Sequence, residues 1–169
     1  MDQQIDKKIE LKDRIANFFK QNKKKIIFLT IFIFLFIVLI SAYNIYKEKK
    51  NIKISQQFIT AGILLSSQDY ENSKKIYENI IISKNKFYAN LALNVMIERK
   101  LEKNIEKLLN YFKIVERLDY SQDQIDLILL KKALFLIDIQ MINEGKDILK
   151  ILIKSNSKIK SLAEEIIKN

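Results

Sequence analysis

The sequence has no cysteine, proline, tryptophan or histidine, and its 169 residues include glycine only at Gly62 and Gly145. Each absence removes a class of proteins. Without cysteine there is no disulfide framework and no thiol nucleophile. Without histidine the commonest general base is gone, and with both missing so are the usual zinc ligand sets. With no proline and almost no glycine, few residues can stop a helix, and such chains are all-helical. Candidates for catalysis are correspondingly few. Glu164 and Glu165 are adjacent, so on a helix their carboxylates point apart. Asp123 and Asp126 face similarly, but they fall in a stretch, Asp119 to Gln124 and just beyond, that reads as loop and turn with no base or metal partner. Nothing has the form of a phosphate loop. The expectation is a protein that is not an enzyme, with no cofactor, no metal and no small-molecule substrate. The formal net charge of +10 is discounted as a sign of nucleic acid, because no basic run is interleaved with a base-stacking aromatic platform.

One long apolar run is present. Ile26 to Tyr43 contains no charged residue, and its polar groups are Thr30, Ser41 and the Tyr43 hydroxyl. As a helix it is roughly 27 Å long, close to the ~30 Å hydrocarbon core of a bilayer. A soluble helix rarely stays apolar on every face for this length. We read 1–25 as a basic cytoplasmic tail, 26–43 as a transmembrane anchor, 44–54 as a juxtamembrane segment and 55–169 as a helical domain. The run is too long for a cleaved signal, and Ile40-Ser41-Ala42 is a poor cleavage site.

Lysine and arginine set the orientation. Lys7, Lys8, Lys12, Arg14, Lys20 and Lys23 to Lys25 precede the run, against Lys47, Lys49, Lys50 and Lys53 after it. This places the N-terminus in the cytoplasm and the larger part outside. The second cluster, beside the membrane, suits anionic headgroups. Residues 2–22 carry a loose apolar stripe, which reads equally as an amphipathic segment on the inner membrane face or as a solvated tail. Phe28, Phe32 and Phe36 share one face of the anchor, either turned to lipid or forming a packing ridge for another membrane protein.

From Asn51 onward apolar residues recur with a helical period. Helices are expected around Ile54 to Leu65, Tyr70 to Ile80, Phe87 to Lys100, the stretch after Leu101, Gln124 to Met141, Asp147 to Ile153 and Ser157 to Lys168, with a break at Ile142 to Gly145. Short helices with short turns make antiparallel neighbours. The stretch "AGILLSSQDYENSKKIYENII" resembles a tetratricopeptide unit, with Ala61, Leu64, Ser73, Tyr77 and Ile80 at the packing positions. A second unit has Tyr88, Leu91, Ala92, Val95, Leu101, Leu108 and Tyr111, with Asn104 where a small residue is expected, and a third surrounds Gly145. The spacings are about 31 and 44 residues rather than a constant 34. The fold class is all-α: one N-terminal transmembrane helix followed by a tetratricopeptide-like array of antiparallel hairpins. The resemblance implies a concave binding face including Phe58, Leu65, Ala89, Leu93, Met96 and Ile97; the alternative is that these are ordinary core. Lys131 and Lys132 read either as a carboxylate clamp at the array's end or as a solvated pair.

The whole layout, together with "QDYENSKKIYENI" and "FYANLAL", is similar to the membrane-anchored ancillary subunits of the bacterial Sec translocon. That resemblance implies a single-pass protein of the inner (cytoplasmic) membrane, with its C-terminal domain periplasmic or extracytoplasmic. It also implies a chaperone-like role beside export, with the translocon and exported clients as partners. An envelope scaffold for cell-wall or division proteins is the second reading, and a lipid-contacting or self-assembling structural protein the third.

Overall fold

In a chain this poor in proline and glycine, helices end by side-chain caps and by residues driven into left-handed backbone, and both devices are used here. A computed structural model describes the backbone of residues 2–155 and 157–168, and the side chains of 22–25, 27–155 and 157–168. The described residues form α1 (Asp2–Ser66), α2 (Tyr70–Ile82), α3 (Lys86–Glu98), α4 (Ile105–Glu116), α5 (Gln122–Asp138), α6 (Ile142–Lys154) and α7 (Lys160–Lys168), with no strand among them. Asp69, Asn85 and Asn104 each accept a hydrogen bond from a backbone N–H three residues on, and so open α2, α3 and α4. At α5 the Gln124 side chain reaches back to the Ser121 N–H at 3.2 Å. Asn104 is therefore a cap in register with Asp69, and not a stand-in for the small residue Ser73. The cap positions 69, 104 and 141 lie 35 and 37 residues apart, a more even repeat than the apolar pattern predicts.

Four turns hold a non-glycine residue in the left-handed region: Gln68, Lys84, Lys100 and Gln140, with φ between 50° and 66°. After α1 the Asp69 N–H reaches back to the Leu64 carbonyl and Gln68 to Leu65. The same pair of bonds closes α3 from Leu101 and Lys100, and α5 from Met141 and Gln140. Glycine is the usual occupant of this position because a Cβ is strained there. Replacing any one of the four by glycine is expected to raise stability by about 0.5–1 kcal/mol, after allowing for the looser unfolded chain. The check is a shifted denaturation midpoint at unchanged slope.

The chain divides into two units, Met1–Lys50 and Asn51–Asn169. The first is helix throughout its described backbone. Its side chains from Ile27 to Ile40 are exposed on every side, Phe28 by 75%, so this is a helix long and apolar enough to cross a membrane.

The second unit has its own core. Ile54 and Ala61 from the end of α1 pack with Tyr77 and Ile80 of α2, Leu93 and Met96 of α3, and Phe112 and Val115 of α4. Ser73 is fully buried and donates to the Ala61 carbonyl at 2.8 Å, so the small residue brings α2 against α1 and satisfies its own hydroxyl. A second cluster joins Leu130 and Ala133 of α5 to Leu149, Leu152 and Ala163. Helix α5 serves both clusters, giving Ile128 and Phe135 to the first. That double burial is why it reads as apolar nearly all round.

Three expectations are corrected. The break after α5 falls at Ile139 to Met141, and Ile142 to Gly145 are the first turn of α6. Gly145 is no turn residue: a Cβ there would lie 2.7 Å from Ile137 Cγ1 and 2.8 Å from the Ala133 carbonyl oxygen. The glycine is what lets α6 lie on α5. Asp123 and Asp126 belong to α5, not to a loop, and they diverge. Asp126 is buried between Gln122, which donates to it at 2.8 Å, and the Ser157 hydroxyl, whereas Asp123 pairs with Lys158 at 2.5 Å on the surface.

Candidate functional site

Helices α3 and α5 lie near each other with a gap that their side chains leave open. Asn94, Ile97 and Glu98 face Lys131, Leu134, Phe135 and Asp138 across a cavity of about 270 Å³. A second cavity of about 280 Å³ shares Ile97, Phe135 and Asp138 and continues toward the α3–α4 turn, past Ile105 and Leu108. The floor is firm: Phe135 is buried and rests on Phe112, ring centroids 5.8 Å apart. Leu134 and Ile105 remain 44% and 42% exposed at the edge. The groove thus has an apolar floor, an apolar lip, and amide and charged groups on its rim. Such a surface suits an apolar side chain on a chain whose backbone also needs partners. Among the described residues no group of three His, Cys, Asp or Glu is placed to hold a metal ion.

The α3–α4 turn beside the groove is held by one carboxylate. Glu102 is buried; its Oε1 accepts the N–H groups of Lys103 at 2.8 Å and Asn104 at 2.9 Å, and its Oε2 meets Lys74 at 3.0 Å and Lys107 at 3.3 Å. Burial alone would raise its pKa. The Asn104 N–H and the two ammonium groups outweigh that and hold it at about 2. Lys107 also meets Glu78 at 2.5 Å, and this bond, against the effect of burial, raises its own pKa. The four side chains tie α2 to the start of α4, so the groove's end wall does not drift.

The face expected from the repeat pattern is placed differently. Ala89, Leu93 and Met96 are 0%, 1% and 0% exposed and belong to the core, with no surface to offer a partner. Helix α3 is packed against α2 on one side and α4 on another, so its apolar positions serve two inward faces. Phe58 is half-buried, its ring 5.5 Å from Tyr77 and 5.6 Å from Tyr88. Leu65 borders a more polar pocket with Tyr70, Arg99 and Lys100. Of the six, Ile97 alone lines the α3–α5 groove. Its neighbours Asn94 and Glu98 were missed because polar residues on a helix normally read as solvated. Leu134 was missed because the apolar residues of α5 lie nearly all round it and single out no face. Lys131 and Lys132 do not act together: Lys132 is bound to Glu116 at 2.8 Å, and Lys131 turns to the groove. Phe28, Phe32 and Phe36 all lie exposed on α1.

Comparison of the sequence with family models and with curated proteins, and of the structure with solved structures, gives no match.

Proposed function

We propose that this chain is a membrane-anchored, non-enzymatic docking protein. In this reading residues 26–43 cross the membrane, the tail before them is cytoplasmic, and the helical unit outside is a tetratricopeptide-like array whose α3–α5 groove receives an extended or amphipathic polypeptide. The observation that carries it is the pairing of two features in one chain: a helix apolar on every face over a bilayer's thickness, and a helical unit with an open groove of apolar floor and polar rim. The near-even cap spacing supports the array. The resemblance in layout to ancillary translocon subunits makes the protein-conducting channel and its emerging clients the partners of choice.

The test is isolation of the full-length protein in a gentle detergent with identification of what accompanies it. Channel subunits together with exported chains are the expected result. A complex made only of division or wall-synthesis proteins moves the assignment to an envelope scaffold. Leu134→Glu places a charge on the exposed lip without entering the core. It is expected to reduce client recovery about tenfold while channel recovery is unchanged.

A further inference from the structure

Within the second unit the last turns of α1 have two faces. Ile54, Phe58, Ala61 and Leu65 turn to the core. The opposite side carries Ile52, Ile59 and Ile63, which are 50%, 60% and 61% exposed, with exposed Gln56 between them. The steps from 52 to 56, 59 and 63 are four, three and four residues, the spacing of a coiled-coil seam with Ile52 and Ile59 at d, and Gln56 and Ile63 at a. Nothing in the unit covers this stripe, and three half-exposed isoleucines in line are unusual on a face turned to water.

We propose that this seam pairs with the same seam of a second copy, as a short parallel coiled coil. The proposal rests on the anchor reading: two copies inserted the same way up present α1 in parallel. Charge agrees with that sense. In this register Glu48 falls at g and Lys53 at the following e, the two positions that meet across a parallel pair, so Glu48 of each copy faces Lys53 of the other. An antiparallel pair would not bring them together. Lys49 and Gln56, both at a, each meet their own copy across the axis, which fixes the register at some cost in stability. The seam buries well under the ~1,200 Å² of a free-standing interface. Confinement of both anchors to one bilayer supplies the effective concentration that the contact area lacks.

The chain has no cysteine, so one introduced thiol reports one position. In membranes holding the full-length protein, Ile52→Cys and Ile59→Cys are expected to give, on mild oxidation, a disulfide adduct of twice the chain mass. The yield should be at least about tenfold above that of the exposed off-seam control Lys50→Cys. Adding Ile63→Glu to Ile52→Cys should abolish the adduct at an unchanged unfolding midpoint, since residue 63 is on the surface. Equal yields at all three positions, no adduct at residues 52 and 59 in chains that resist alkaline extraction, or an adduct with a different protein would each overturn the pairing. Release of the chain by alkaline extraction overturns the anchor, and the parallel pairing with it; that result is read before any oxidation.

Discussion

Gly145→Ala is expected to destabilise the helical unit by about 1 kcal/mol, although alanine is the better helix former. The added Cβ would stand 2.7 Å from Ile137 Cγ1 and 2.8 Å from the Ala133 carbonyl oxygen. The isoleucine can turn; the backbone oxygen cannot move without shifting α5, which is buried on both sides. Overpacking of this kind costs about 1–3 kcal/mol, against about 0.5–1 kcal/mol gained from helix propensity. The other glycine provides the opposite sign. At Gly62 the nearest atom to a new Cβ is the Tyr77 hydroxyl oxygen at 3.8 Å, an ordinary contact. Gly62→Ala should therefore stabilise by about 0.5–1 kcal/mol. Both are read from denaturant midpoints of the full chain in mild detergent. A stabilising Gly145→Ala would show that α5 and α6 are not in the close contact described.

Glu102 governs the acid limb of stability. Its ordinary value is 4.5 and its folded value about 2. A depressed folded pKa stabilises where the group is charged in both states. The contribution is thus fully present above pH 4.5 and is lost as the pH falls toward 2. The difference corresponds to about 3 kcal/mol. Glu102→Gln is expected to cost about 2 kcal/mol at pH 7, because the amide oxygen still accepts from Lys103 and Asn104 but no longer answers the charges of Lys74 and Lys107. The gap between the two proteins should close as the pH is lowered from 4.5 to 2. A gap that persists at pH 2 would mean that the carboxylate acts through shape rather than charge.

The helices were legible because their signal is redundant: period, breaker-poor composition and the turn cluster ending at Asp69 agree, while Asn85 and Asn104 show themselves as caps only in the folded chain. The turns were legible only in part. Gln68, Lys84, Lys100 and Gln140 adopt a backbone that glycine usually marks, so the pattern offers no flag. The one glycine near a turn, Gly145, serves helix packing instead. The groove was harder still. Asn94 and Lys131 meet through the placement of α3 against α5, which depends on how Phe112 and Phe135 stack and not on any local spacing. The positions chosen from the repeat pattern, Ala89, Leu93 and Met96, fell in the core because α3 is enclosed on two sides.

The cross-helix ties named above are short in chain length. Ser73 to Ala61 spans 12 residues, Glu78 to Lys107 spans 29, Asp126 to Ser157 spans 31 and Asp123 to Lys158 spans 35. A ribosome adds 35 residues in roughly 2–7 s, and loop closure over such distances takes well under a millisecond. Each hairpin can therefore close behind α1 as soon as its second helix arrives, before the next is made. The architecture lets the unit assemble in the order of its synthesis, without waiting for its C-terminus.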